Sequence, residues 1–266
     1  MSQLLADARE MISEQFRYRE LLYQMARRDL LLRYKQTVMG FGWAVFMPLL
    51  NTAVFSVVFT KVAPIKTPVP YPLFAYCGLL FWNFFASSMR FSVASLVTNS
   101  NLVTKVYFPR EIFPFSSVVV CLIDSVVGGL VLVGLMIYYR IPVGPALLLL
   151  PVVLAVHIAF TAAVGLLIAM ANLFYRDVKY LFEIVLTVWM FLTSVLYPTD
   201  LVSGRLRMVF ELNPMTPIID SYRAVILLNR PPDLVSFGLT AVLSVVLLVV
   251  CWVTFHRAEF KFAENI

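Results

Sequence analysis

The side chains that could carry chemistry are few, and most of them lie within apolar stretches. The two histidines, His157 and His256, form no H-E-x-x-H pair of the kind that binds catalytic zinc. Cys77, Cys121 and Cys251 lack C-x-x-C spacing, which favours buried apolar thiols over a disulfide or metal site. The sequence also has no G-x-x-x-x-G-K-[ST] loop to hold nucleotide phosphates. It therefore predicts neither an enzyme nor a metal site, and no ATP hydrolysis by this chain.

Two ionisable residues, Asp124 and His157, lie deep within apolar stretches. A charge is costly in hydrocarbon, so Asp124 must face protein or water, and both a structural hydrogen bond and a proton or substrate site stay open. His157 has no neighbouring carboxylate in the sequence, which favours a packing role over a proton relay. Gly128 and Gly129, one turn after Asp124, would let another helix approach closely.

The composition excludes a soluble protein. The 266 residues are 61% hydrophobic and 14% charged, whereas soluble domains are about half apolar and about a quarter charged. The 22 Phe and 12 Tyr exclude a disordered chain. Unbroken apolar stretches exclude a membrane β-barrel, because barrel strands alternate apolar and polar residues. The predicted fold class is an all-α polytopic membrane protein.

Six stretches are long and apolar enough to cross a bilayer, which takes about 20 residues. They cover residues 37–60, 68–89, 112–139, 146–174, 179–198 and 234–256. The predicted domains are a cytoplasmic interface segment over 1–36, a transmembrane domain over 37–256 and a cytoplasmic tail over 257–266. Lys and Arg number fourteen on the side of the termini and seven on the other side. This excess puts both termini in the cytoplasm and explains the net charge of +6 without a nucleic acid partner.

The segment before the first span is too charged to cross a membrane but carries a helical apolar stripe. Leu21, Leu22, Met25 and Ala26 recur at helical spacing. An amphipathic helix lying in the headgroup interface is therefore expected, with a solvated leader as the alternative. The residues assigned to the basic end of this helix are Arg27, Arg28, Arg33, Tyr34 and Lys35.

Two of the connections between spans are unusual. Residues 91–111 combine Ser and Asn with a helix-breaking Pro109, which suits a short amphipathic helix on the cytoplasmic face. The outer connection 197–233 holds five prolines, and its apolar part, MTPIIDSYRAVILL (215–228), is too short to span. This part could enter the outer leaflet and return if it is buried in protein, with an ordinary external loop as the alternative.

Five stretches in order along the chain carry a recognisable pattern. They are RRDLLLRYKQTVMGFGWAVFMPLL (27–50), NLVTKVYFPREIFPFSSV (101–118), NLFYRDVKYL (172–181), LYP (196–198) and ELNPMTPIIDSYR (211–223). Together they resemble ABC-2 type permeases that export lipid-linked polysaccharides, with O-antigen and teichoic-acid permeases the nearest in pattern. Capsule-export permeases are similar only through the first stretch. Met39 departs from the leucine expected there, which is a conservative change.

The resemblance implies a half-transporter that dimerises and pairs with two copies of a separate ATPase subunit. ATP and Mg²⁺ would bind to that subunit, and this chain would hold no cofactor. The implied substrate is an undecaprenyl-type lipid-linked polysaccharide, and the implied location is the bacterial cytoplasmic (inner) membrane. The coupling segment that would contact the ATPase includes Asn99, Asn101, Lys105, Tyr107, Arg110 and Glu111. Short re-entrant helices between the fifth and sixth spans would form an outer gate with Asn213, Pro214, Ile218, Ile219, Asp220 and Arg223.

Aromatic side chains of the second predicted span could stack on sugar rings along a substrate path. The candidates are Tyr71, Tyr76, Phe81, Trp82 and Phe85, and the alternative for each is an anchor at the membrane interface. A capsule, teichoic-acid, drug or small-lipid exporter remains an alternative within ABC transport. A secondary transporter is a further alternative, but it predicts several mid-membrane charges and an inverted repeat. The sequence shows one such acid and no repeat.

Overall fold

The computed structural model describes residues 13–35, 37–40, 42–105, 108–259 and 262, and every regular element in this part of the chain is helical. The helices are α1 (Arg19–Tyr34), α2 (Gly42–Val57), α3 (Tyr71–Thr98), α4 (Ser100–Lys105), α5 (Ile112–Tyr138), α6 (Leu150–Phe174), α7 (Val178–Phe191), α8 (Arg205–Leu212), α9 (Met215–Ile226) and α10 (Leu234–Ala258). A π-helical turn over Val58–Val62 extends α2, and 3₁₀ turns cover Pro145–Leu149 and Thr199–Leu201. The predicted all-α class is confirmed for the described residues.

Four helical stretches are long and apolar enough to cross a membrane. They are Gly42–Val62, Ile112–Tyr138, Pro145–Phe174 and Leu234–Ala258. Their outward faces carry exposed aliphatic side chains, such as Val126 and Leu130 on α5 and Val242 on α10. Exposing this apolar surface to water would cost free energy, whereas contact with lipid chains would not. Four of the six predicted spans therefore have the length and composition that spanning requires.

The second predicted span lies within α3, which is buried in the middle of the protein. Twenty of its 28 residues are buried, and it packs against α2, α5, α6, α7 and α9. Because protein surrounds most of this helix, it tolerates polar residues such as Asn83, Ser88 and Ser92 that lower its hydropathy. The helix continues past Arg90, where the prediction ended the span, and Arg90 pairs with Glu183 of α7 at 3.1 Å. At 1.5 Å per residue, α3 is about 42 Å long, which exceeds the thickness of the hydrocarbon core.

The fifth predicted span, 179–198, forms a shorter helix than expected. Helix α7 ends at Phe191, and residues 192–198 continue as irregular turns. Thr193 and Ser194 lie in these turns and are fully buried. The prediction of one helix through residue 198 is therefore wrong, because the backbone of these turns bonds to side chains of the outer segment instead of continuing the helix.

The outer connection is folded against the helices rather than extended. Helix α8 is mostly exposed, whereas nine of the twelve residues of α9 are buried. Helix α9 packs against α3, α6 and α10. An ordinary external loop does not fit this burial, so α9 belongs to the protein core.

Candidate functional site

Arg223 forms a buried junction between α3, α9 and the turns that follow α7. Its guanidinium donates to the carbonyl oxygens of Ser194, of Val195 (2.6 Å) and of Phe74 (3.4 Å). It also donates to Asp220 Oδ1 at 3.3 Å and lies 3.6 Å above the centre of the Phe74 ring. Only 4% of this residue is exposed. Arg223 thus joins α9 to α3 and to the turns after α7 through charge-assisted bonds.

Gly78 of α3 provides the space that this arginine needs. A Cβ at position 78 would collide with Arg223 Nη2 and with the carbonyl oxygen of Val195. On the other side of the junction, the Ser194 hydroxyl donates to Asp220 Oδ1 at 2.7 Å. Asp220 and Arg223, one helical turn apart on α9, form an ion pair.

Asn213 determines where α8 ends and α9 begins. Its Nδ2 donates to the carbonyl oxygen of Leu192 (2.7 Å) and to Thr193 Oγ1 (2.8 Å). Its Oδ1 accepts from Trp189 Nε1 (2.8 Å) and from the backbone N–H of Met215 (3.0 Å). This side chain satisfies backbone groups at the start of α9 and in the turn after α7. The start of α9 and the end of α7 can therefore be buried without unpaired backbone groups.

The two prolines of the outer segment act differently. Pro214 lies between α8 and α9, and the expected break of this segment into two pieces is present at Asn213–Pro214. Pro217 instead lies in the first turn of α9, where a missing N–H is tolerated, and it does not interrupt the helix. Ile218 and Ile219 are fully buried in the main apolar core.

The five aromatic residues predicted to line a path are all buried within the chain. Tyr71 donates to the Leu196 carbonyl oxygen at 2.9 Å, and Tyr76 donates to that of Gly128 at 2.8 Å. Trp82 and Phe85 pack against each other with ring centres 5.6 Å apart. These side chains hold helices together in the protomer, and their role along a substrate path stays a prediction.

Phe81 and His157 belong to one stack with Tyr222 of α9. The Phe81 and Tyr222 rings are nearly parallel, with centres 3.4 Å apart. His157 Nδ1 lies 3.3 Å from the Tyr222 hydroxyl, and the edge of the Phe84 ring packs on the imidazole. The packing role favoured for His157 agrees with this full burial among aromatic rings.

A polar cavity lies between α2, α3 and α5. Its volume is about 330 Å³, and its lining residues include Trp43, Asn51, Asn83, Ser87 and Asp124. Amides, a hydroxyl and an indole N–H are groups that can bond to sugar hydroxyls. The sequence interpretation favoured aromatic residues and missed Asn51 and Asn83, because each stands alone among apolar neighbours.

Asp124 is paired with the N-terminal helix. Arg33 Nη1 forms an ion pair with Asp124 Oδ2, and the Tyr34 hydroxyl donates to Asp124 Oδ1 at 2.6 Å. The Arg33 guanidinium also lies 3.8 Å above the centre of the Phe91 ring. Burial, together with the bond to Asp124, raises the pKa of Tyr34, which keeps the phenol a donor. Two roles were left open for Asp124. Its bonds to Arg33 and Tyr34 of α1 are those expected for the structural role.

We expect Asp124→Leu to lower the free energy of unfolding by roughly 3 kcal/mol, because it leaves Arg33 without its counter-charge. Arg33→Met should have a similar cost. The double variant should recover most of the loss, since two apolar groups need no partner. Thermal unfolding of the detergent-purified proteins measures all three. Additive losses in the double variant would contradict a direct pair.

The N-terminal helix also contacts the coupling segment. Arg28 Nη2 donates to Asn99 Oδ1 at 2.8 Å, at the junction between α3 and α4. Arg27 and Lys35 are exposed, and so is Asn101 of α4. These exposed side chains are free to meet another surface, and their predicted roles stay predictions.

The end of the coupling segment is packed against α10. Arg110 donates to the Glu259 carbonyl oxygen, and Glu111 is fully buried with Oε1 accepting from Trp252 Nε1 at 3.1 Å. In this conformation Glu111 faces the protein interior. The backbone of Lys105 ends α4, whereas Tyr107 lies outside the described residues.

Comparison with known proteins gives the family. The profile of the ABC-2 type transporter family matches residues 20–227, from α1 to the end of α9. The chain belongs to the ABC-2 type transporter family. It is thus a multi-pass membrane protein of an ABC exporter, in which an ATPase partner supplies the energy.

Curated relatives of this ABC-2 chain match it nearly end to end. The O-antigen export system permease protein RfbA of Myxococcus xanthus is 33% identical over 259 residues, which cover 96% of this chain and 99% of the relative. Two proteins of the same name from Klebsiella pneumoniae are 26% and 27% identical, each over 92% of this chain and 94% of the relative.

Proposed function

We propose that this chain is the permease subunit of an exporter that carries an O-antigen-like, lipid-linked polysaccharide across the bacterial cytoplasmic membrane. The observation that carries the proposal is the end-to-end similarity to O-antigen export permeases, with 33% identity over 96% of the chain. The substrate would be an undecaprenyl-type glycolipid. Teichoic acid and capsular polysaccharide are related cargoes that would need the same kind of path.

The assembly that fits this function is a homodimer with two ATPase subunits. The chain has no phosphate-binding loop, so ATP and Mg²⁺ would bind to the ATPase subunits and not to this chain. The polar cavity beside α2 and α5 opens on a face that the protomer leaves uncovered, and it supplies bonding groups for hydrated sugars. Hydrolysis in the partners would shift the conformation of the two permease halves through contacts at α4.

Six membrane crossings are the topology that we propose. To the four apolar stretches we add α3, which is about 42 Å long and shielded by protein, and α7 with the turns that follow it. Helix α1 would lie along the cytoplasmic surface, and α8 and α9 would enter from the outer side and return. The interface segment (1–36), the transmembrane domain (37–256) and the cytoplasmic tail (257–266) are the corresponding units.

Cysteine labelling checks this topology. The native Cys77, Cys121 and Cys251 are buried, so a membrane-impermeant thiol reagent should label introduced cysteines selectively. We expect Ser203→Cys to react in spheroplasts, and Asn101→Cys to react only after the membrane is opened, since both positions are exposed. Reaction of Asn101→Cys in sealed spheroplasts would overturn the assignment of sides.

Deletion of the gene in its source bacterium tests the function itself. We expect surface polysaccharide to disappear and lipid-linked polysaccharide to accumulate inside, with both effects reversed by the wild-type gene. A drug or small-lipid exporter would instead leave the surface polysaccharide unchanged. Normal surface polysaccharide in the deletion strain would therefore refute the proposal.

A further inference from the structure

A cluster of metal-ligating side chains lies where the segment between α4 and α5 meets the end of α10. Glu111, His256 and Glu259 each offer one ligand atom, and these atoms lie within 4.8 Å of one another. His256 Nδ1 is 3.3 Å from Glu111 Oε1 and 3.9 Å from Glu259 Oε1. No local sequence pattern marks this cluster, because Glu111 and His256 are 145 residues apart.

Both carboxylates of the cluster are buried. Glu111 is fully buried, and Glu259 is only 7% exposed. Glu111 Oε2 accepts no hydrogen bond from the residues that the structure describes, although its sister oxygen contacts Trp252 and His256. A buried carboxylate oxygen without a partner costs free energy, so a ligand bound to this carboxylate would stabilise it.

The charges around the cluster favour a divalent cation. Glu111 and Glu259 place two carboxylates beside the His256 ring. Glu14 adds a third negative charge near His256. Arg110 is the facing cation, but its Nη1 donates to the Glu259 carbonyl oxygen, while its backbone N–H is 3.4 Å from Glu259 Oε2. A neutral imidazole, two carboxylates and one divalent ion would together carry no net charge, which suits burial.

We propose that Glu111, His256 and Glu259 bind a divalent transition-metal ion, of which Zn²⁺ is the best match. Zinc bonds of about 2.0 Å to nitrogen and oxygen in a tetrahedral site place neighbouring ligand atoms about 3.3 Å apart. The Glu111–His256 distance has this value, and Glu259 needs only a small movement. Imidazole selects zinc over Mg²⁺, which takes oxygen ligands. Trp252 Nε1 holds the Glu111 carboxylate in the way that outer partners hold metal ligands.

The ion would link two separate parts of the chain. Glu111 directly precedes α5 and follows the coupling segment, whereas His256 and Glu259 lie at the end of α10. A bound metal would fix the position of the coupling segment relative to α10. The proposal is independent of which polysaccharide is exported.

Metal analysis of the full-length protein tests the site. The chain is purified in detergent with a tag that contains no histidine, equilibrated with Zn²⁺, desalted and analysed by mass spectrometry of the metal. We expect one Zn²⁺ per chain and a thermal midpoint that rises with Zn²⁺ concentration. Co²⁺ in place of Zn²⁺ should give the visible absorption of a four-coordinate site.

Matched variants separate this site from non-specific binding. His256→Gln and Glu259→Gln should each weaken Zn²⁺ binding by at least about tenfold. Glu211→Gln removes an exposed carboxylate of α8 and should bind Zn²⁺ like the wild type. An absence of bound Zn²⁺, or unchanged binding in both His256→Gln and Glu259→Gln, would overturn the proposal. Tighter binding of Mg²⁺ than of Zn²⁺ would also overturn it.

Discussion

Replacing Arg223 with methionine is expected to abolish export and to destabilise the protein by at least about 3 kcal/mol. The substitution preserves most of the side-chain volume but removes every guanidinium donor of the buried junction. Asp220 loses its counter-charge, and the carbonyl oxygens of Ser194 and Val195 lose their partner. Buried acceptors left without donors are costly, and the partly exposed Asp220 carboxylate adds a smaller cost.

A neighbouring arginine provides the control for this experiment. Arg207 of α8 pairs with Glu211, but about two thirds of its side chain is exposed. Arg207→Met should therefore change stability by less than about 1 kcal/mol. Arg223→Lys should fall between the two, since an ammonium cannot reproduce the planar fork of donors. Thermal unfolding and surface-polysaccharide gels measure the effects, and wild-type behaviour of Arg223→Met would contradict the role of the junction.

A carboxylate placed in the buried face of α9 is expected to stop export. Ile218 and Ile219 are fully buried in the main core. Burying an unpaired acid there costs several kcal/mol, so Ile218→Asp and Ile219→Asp should displace α9 from α3 and α6. The expected result is loss of polysaccharide export, or a pore that leaks small ions.

Two further substitutions show whether burial is the cause. Leu212 at the end of α8 is 76% exposed, so Leu212→Asp should leave export intact. Ile219→Val removes one methylene and should cost only about 1 kcal/mol, with export retained. Export and ion flux are measured in cells with matched protein levels. If both aspartate variants export polysaccharide and their membranes do not leak ions, α9 is not a gate.

Much of the fold could be predicted because local sequence marks it. The beginnings of α5 and α10 follow Glu111 and Asp233, and the break before α9 follows from Asn213–Pro214. These charged and proline-containing positions lie directly at the helix ends, so these boundaries need no knowledge of the tertiary structure.

The remaining features depend on partners that are distant in the sequence. Helix α7 ends early where Asn213 bonds to the Leu192 carbonyl oxygen, and α3 runs past Arg90, whose side chain pairs with Glu183. The pairing of Asp124 with Arg33 likewise joins residues 91 positions apart. No local pattern encodes such pairs. Sequence analysis therefore identified several of these residues but could not identify their partners.

The pairing of α1 with α5 has a consequence for biogenesis. Arg33 leaves the ribosome 91 residues before Asp124, and two predicted spans must be inserted in between. During that interval the amphipathic α1 has only the membrane surface to cover its apolar stripe. Arg223 is translated 149 residues after Phe74, so the outer junction closes still later. A nascent chain arrested before Asp124 should therefore leave α1 open to proteolysis, and α1 should become protected once α5 has entered the bilayer.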